Sequence, residues 1–429
     1  MYKNNTRLKA IGAAAALALA AGWSATGAQA EELLFWSTQA RPVEEAQAMR
    51  EQVLSDFGKE VSYQPQEAGP FITRLQAELK AGSGTIAVLG GLHGDFTTVS
   101  EGLADLSGLD LGGAKVSGTF MELGKLGGAG QKYVPWMQAT YIMAANKKAL
   151  EHLPEGADVM ALSYDQLIAW ARNLKEATGS PKLGLPAGPK GLKHRFIQGY
   201  LYPSFTNSMV TKFRSAEAEA MWNTVKELWA ETNPASTNYN FMQEPLLSEE
   251  VWVAFDHTAR LADAFNQRPD DFVAFPAPAG PTGRGFMPVV AGVAVPTTAP
   301  DMEGAKALVS YMLKPETQIA TLRATSFFPV IDVALPDDMP AAVKLSGAAI
   351  AAQSGAADAN PGLLPVGLGD QGGKFNQVYV DTFERIVLAG QPVRDVLDDQ
   401  AGALRKVMDK AKAPCWAPDK PSDGTCPVE

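Results

Sequence analysis

"TIAVLGGLHGD", residues 85–95, is the stretch on which the fold turns. Ile86 to Leu89 form a short continuous apolar run, and Gly90, Gly91 and Gly94 follow it. Such a run bounded by turn residues reads as a buried strand ending in a glycine-rich turn. Ahead of it, "FITRLQAELKAG" (71–82) carries apolar residues at helical spacing and "VSYQPQ" (61–66) reads as extended. "PVEEAQAMREQVLSDFGK" (42–59) keeps helical spacing from Val43 to Phe57, and "LLFWS" (33–37) is an apolar run that ends in polar residues. Strand, helix, strand, helix, strand is the order of an α/β fold with a mainly parallel sheet. Ligands of such sheets sit beyond the carboxyl ends of the strands. That rule places Trp36 to Gln39 and His93 to Asp95 at one candidate site.

A second α/β section opens near "NKKALEHLP" (146–154). In "SYDQLIAWARNLKEATG" (163–179) Leu167, Ile168, Ala171 and Leu174 share a helix face and Gly179 supplies the stop. "PKLGLPAG" follows as strand and turn. "SAEAEAMWNTVKELWAETNP" is an amphipathic helix whose Trp222 and Trp229 read as core residues. The Pro/Gly-dense segment 270–300 reads as crossing extended pieces, because Val289 to Val295 is apolar enough to be buried.

The chain has 429 residues, with 37 Lys and Arg against 47 Asp and Glu, a net charge of −10. Lys3, Arg7 and Lys9, the apolar run 10–22 and "AQA" at 28–30 form a secretory signal peptide, so the mature chain starts near Glu31. Without those three basic residues the mature chain holds 34 basic and 47 acidic groups, net −13. That balance argues against nucleic acid, since binding its phosphates needs a basic face. No other apolar run reaches the span of a membrane helix, about 20 residues. About 400 mature residues exceed what one core usually serves, which implies two domains. Cys415 and Cys426, in "CWAPDKPSDGTC", are expected to form a disulfide in an oxidising compartment.

The ordered set "LLFWS", "YVPWMQATYIMAANKKAL", "SYDQLIAWARNLKEATG", "GFMPVVAGVAVP" and "AKALVSYMLKPETQIATLRATSFFPV" resembles the extracellular solute-binding proteins of carbohydrate ABC importers, whose best-known member is the maltose-binding protein. The likeness spans nearly the whole mature chain. It implies two discontinuous α/β lobes joined by crossing strands, with ligand in the cleft and hinge closure on binding. The N-terminal lobe would be 31–142 plus 294–335, and the C-terminal lobe 143–293 plus 336–429. The resemblance further implies a periplasmic monomer that hands a carbohydrate to permease subunits in the inner membrane, with no cofactor.

Sugars present hydroxyls and weakly apolar ring faces, so a cleft for one needs planar polar groups and aromatics. On that pattern the resemblance implies ligand contacts at Trp36, Thr38 and Gln39, with Ser37 beside them. His93 and Asp95 follow in "GLHGDF", and Trp136 and Gln138 just before the crossing. In the second lobe come Arg195, beside Lys193 and His194, then Asp256, His257 and Arg260 in "EEVWVAFDHTARL". Phe286 and Phe375 complete the set. Several have a plainer reading: Trp36 as core, His93 and Asp95 as turn chemistry, and Asp256 capping a helix with Arg260 paired to it. The chain departs from maltose-type members where His257 and Thr258 replace an expected Trp, which implies a smaller or more polar ligand.

Enzyme chemistry finds little footing. The sequence holds no G-x-S-x-G, no H-E-x-x-H and no P-loop, and its four histidines, His93, His152, His194 and His257, show no metal-ligand spacing. A paired-carboxylate glycosidase leaves no short motif and stays open as an alternative. So does a binder of an anionic sugar derivative (sugar acid, sulfonate or phosphodiester), on the strength of Lys193, His194, Arg195 and Arg260.

Overall fold

The computed structural model describes residues 32–39, 43–116 and 118–429; the expected signal peptide, 1–30, lies outside the described residues. The strands Leu33–Ser37, Val61–Pro65 and Ile86–Leu92 pair in parallel with Leu33–Ser37 in the middle. The helix Val43–Ala48 continues through a π-turn, Met49–Val53, and stops there rather than at Phe57. Phe57, although in helical phase, packs on Tyr311 with ring centroids 5.2 Å apart. The second linking helix is Ala68–Ala81.

Gly90 and Gly91 lie inside the strand Ile86–Leu92 and not in a turn. A Cβ on Gly90 would come within 2.8 Å of both the Phe35 ring and Ser37 Oγ on the neighbouring strand, so close approach demands glycine there. The chain turns only at the one-turn helix His93–Phe96.

Three further strands make the sheet six-stranded and mixed, where a mainly parallel one was expected. Val289–Ala294 runs antiparallel to Ile86–Leu92 on one side and Val134–Ala139 on the other, and Phe328–Pro329 pairs antiparallel at the edge. These strands leave for, or return from, a second sheet, so they need no helical crossover to reverse direction. The second sheet runs in the order Leu183–Gly184, Val253–His257, Tyr141–Asn146, Phe272–Phe275.

Thr140 alone separates a strand of one sheet from a strand of the other. Its Oγ1 donates to Met287 O at 2.9 Å, on the returning segment. Tyr200 clamps the same point: its hydroxyl accepts from Tyr141 N at 3.0 Å and donates to Tyr141 O at 2.8 Å. The two crossings are therefore pinned together. Val289–Ala294 pairs wholly within the six-stranded sheet.

Around the four-stranded sheet, the helix Tyr164–Thr178 starts on a capping box. Ser163 Oγ accepts from Gln166 N, and Gln166 Oε1 accepts from Ser163 N, an arrangement whose cap contributes about 1 kcal/mol. Gly179, at φ 72°, ends it. Its buried face joins Trp170 and Leu174 to Trp222 in one apolar core, while Trp229 is only partly buried and sits edge-on to Phe383.

The C-terminal tail belongs to this side. Cys415 and Cys426 are disulfide-bonded. Asp419, buried in the tail, accepts from the backbone N–H groups of Met209, Val210 and Thr211 and from Ser208 Oγ, each a charge-assisted bond. Ala417 O accepts from Leu363 N at 2.9 Å, and the Trp416 ring lies 5.5 Å from Phe375. The tail thus backs the segment that begins at Leu363. No helix among the described residues is long and apolar enough to cross a membrane.

Candidate ligand-binding cleft

A cleft of 570 Å³ opens between the two sides of the molecule. One wall comes from the helix Ala68–Ala81 (Phe71, Ile72, Gln76) and the end of the strand Ile86–Leu92 with the turn after it (Leu92, Gly94, Asp95, Thr98). The other comes from Arg195, from the segment Leu364, Pro365, Leu368 and Gly369, and from Asn376.

Of the thirteen expected ligand contacts, Asp95 and Arg195 line this cleft. Asp95 is held by its own neighbourhood: Oδ2 accepts from Thr38 Oγ1 at 2.8 Å and from Leu92 N at 2.9 Å. Burial pushes its carboxyl up from the ordinary range, against those two hydrogen bonds. Thr38 thus meets Asp95 from the adjacent strand end. Gln39 sits behind it, with Nε2 donating to Thr38 Oγ1 at 3.3 Å and its carbonyl accepting from Tyr63.

His93 does not line the cleft. It is 7% exposed, its Nδ1 lies 2.7 Å from the Tyr133 hydroxyl, and burial lowers it to about 4. Trp36 is core, under Arg74 at 4.4 Å, with its indole N–H donating to Phe71 O.

Two expected contacts are corrected outright. Trp136 is 0% exposed and packs against Phe35 inside the six-stranded side. Its strand is buried on both faces, so alternation gave no cleft-facing side. Phe375 is also 0% exposed, its ring packed at a tilt between Tyr379 and Trp416; the helix turns its neighbour Asn376 to the cleft instead. Gln138 spends its amide on Pro329 O at 2.8 Å, and Phe286 packs half-buried on the large core. None of these four lines the cleft.

Asp256, His257 and Arg260 form no proton relay. Asp256 is 0% exposed; its oxygens accept from Met242 N and His257 N, and burial pushes it up to about 7, with Arg260 opposing. His257 caps the helix Thr258–Gln267, its Nδ1 accepting from Ala259 N at 3.2 Å, and burial together with Arg260 lowers it to about 4. Arg260 donates to Asn240 O and Lys190 O and lies over the Phe241 ring. The trio is structural in what it bonds, but it shapes the field. Tyr141 lies with its ring 5.1 Å from that of His257 and within the field of Arg195. His194 is lowered to about 3 by burial, with Arg195, Lys193 and Arg260 adding to it. Lys193 is paired with Glu384, whereas Arg195 bonds Gln198 and lies beside the Tyr141 hydroxyl, with no carboxylate partner among the described residues.

Sequence reasoning missed Gln76, Leu364 and Asn376 on the walls and Gln198 behind them. Gln76 lies on a recognised amphipathic helix, and Asn376 adjoins a residue that was chosen; no local pattern marks Gln198.

The family of bacterial extracellular solute-binding proteins matches residues 41–319. None of the curated proteins compared with the chain matches it. Among solved structures, the chain is similar to the GacH receptor of Streptomyces glaucescens, solved unliganded and with acarbose. That likeness has 20% identity and a TM-score of 0.65, covering 88% of this chain and 98% of the other. It is also similar to maltose-bound MalE3 of T. maritima (16% identity, TM-score 0.66, 88% and 99% covered). UgpB from Mycobacterium tuberculosis, in complex with glycerophosphocholine, is comparable (18% identity, TM-score 0.65, 88% and 99% covered). At these identities the structures establish the two-lobe periplasmic binding protein fold.

Proposed function

This chain belongs to the bacterial extracellular solute-binding proteins, and from that premise we propose that it captures a sugar or sugar-like solute between its lobes and delivers it to an ABC importer. The observation that carries the reading is a cleft whose polar groups Asp95 and Arg195 come from its two walls. A solute that bonds both stabilises the closed arrangement, and closure is selected only when both walls are engaged. The lobes we assign divide at Thr140 and before Val289. The protein would work as a monomer in the periplasm, docking closed on permease subunits in the inner membrane, without turnover of its solute.

The relatives support the solute class by what their structures hold: acarbose, maltose and glycerophosphocholine. The test is thermal unfolding of the mature chain against monosaccharides, disaccharides, polyols and sugar acids. A ligand at about 100 times its Kd adds about 2.7 kcal/mol to the folded state, a shift of a few degrees. A shift with one class, with scattering that compacts on binding and no consumption of the compound, upholds the reading. Chemical turnover of a shifting glycoside overturns it in favour of an enzyme.

A further inference from the structure

The second wall of the cleft has a polarity that follows atom by atom. Arg195 Nη1 donates to Gln198 Oε1 at 3.1 Å. A guanidinium has no acceptor, so the Gln198 oxygen must face Arg195 and its NH₂ must face the other way. There it meets Asn376 Oδ1 at 3.1 Å. The Asn376 oxygen is therefore occupied as an acceptor and its Nδ2 is left to donate. Gln198 is 0% exposed, within the π-helical turn Ile197–Leu201, a type of irregularity concentrated at functional sites. One buried amide thus orients two cleft-lining side chains, and what they offer the cleft is donors: the remaining guanidinium N–H groups and the Asn376 NH₂.

Resting on the reading of this cleft as the solute site, we propose that the solute carries an acidic group, a carboxylate or phosphate-type oxyanion, seated on Arg195 and Asn376, and that Gln198 is the positioning residue that sets both donors. An oxyanion only accepts, so it satisfies Arg195 and Asn376 without leaving a donor of its own unpaired, whereas a hydroxyl seated on these two donors must find an acceptor elsewhere for its proton. The guanidinium matches an oxyanion in two parallel hydrogen bonds and has no carboxylate of its own among the described residues. The opposite wall has the reverse character. Asp95 Oδ2 is taken up by Thr38 and Leu92, and the carboxylate is an acceptor for hydroxyls at the other end of the solute.

The experiment is calorimetric titration of the mature chain with matched pairs, glucose and glucuronate, galactose and galacturonate, glycerol and glycerol 3-phosphate, at low and high ionic strength. The expected result is at least tenfold tighter binding of an acidic member than of its neutral partner, weakening as salt rises. Gln198→Glu neutralises Arg195 and turns the Asn376 oxygen to the cleft, so the ratio of acid to neutral affinity should fall at least tenfold. Asn376→Asp gives the same readout from the cleft surface should the buried variant fail to fold. Equal or tighter binding of the neutral members overturns the acidic-group inference and leaves solute capture standing. No binding by any acidic member also overturns it, and if the neutral members fail as well, the sugar reading falls with it. An acid preference unmoved by either folded variant removes Gln198 and Asn376 from its cause.

Discussion

The two walls of the cleft are built in opposite ways. On the six-stranded side, Asp95 is three residues from one of its donors, Leu92 N, and the other, Thr38, directly follows the adjacent parallel strand. On the four-stranded side, Asn376 meets Gln198 across 178 residues of sequence, and the segment Leu364–Gly369 between them and the tail is braced from behind by residues near the C-terminus. A wall assembled from one βαβ segment is set by local folding. A wall assembled from pieces far apart in the sequence is set by packing, and it should be the more fragile of the two.

That contrast can be broken most directly at Phe375. Truncating it to Ala removes the ring that anchors the Asn376 helix to Trp416, and should cost about 4 kcal/mol of stability, read by denaturant unfolding. Binding by the second wall should fail before the first sheet unfolds; a loss of both together would show one cooperative unit.

Acid should come next. His93 titrates at about 4 in the folded chain, against an ordinary value near 6.5. The folded state therefore binds fewer protons between those values, and stability is present above 6.5 and lost as pH falls toward 4, by at most about 3 kcal/mol. His194 and His257, also lowered, act with the same sign. Asp256 acts against them: raised to about 7, its contribution is full below its ordinary carboxylate range and declines as pH rises through 7. Unfolding curves from pH 8 to 4 should show the net loss, and His93→Gln should flatten it.

Arg195→Ala should weaken solute binding by about 2.5 kcal/mol, the range of a hydrogen bond to a charged group. An unchanged Kd would detach the second wall from the ligand. Smallest is Thr38→Val, which deprives Asp95 of one donor and should lower stability by about 1 kcal/mol. An effect above 3 kcal/mol would mean that the first wall is no more robust than the second.

The same contrast explains what could be read from sequence. The alternation from Leu33 to Asp95 was legible because each element states its own period, and the strand-end rule brought Thr38 and Asp95 to one place. Gly90 and Gly91 misled because glycine signals a turn and a close approach with the same letter. Trp136 misled because its strand is buried on both faces, and Phe375 because one residue along a helix is a rotation of about 100°. Asn376 and Gln198 were not legible at all: an amide that matters through a partner 178 positions away leaves no periodicity.

Asp419, near the end of the chain, plugs the turn Ser208–Thr211, and Ala417 holds Leu363. A polypeptide made from its N-terminus delivers every strand of both sheets before these residues appear. The braces of the second wall are thus the last parts of the site to be synthesised, after every strand on which the walls are hung.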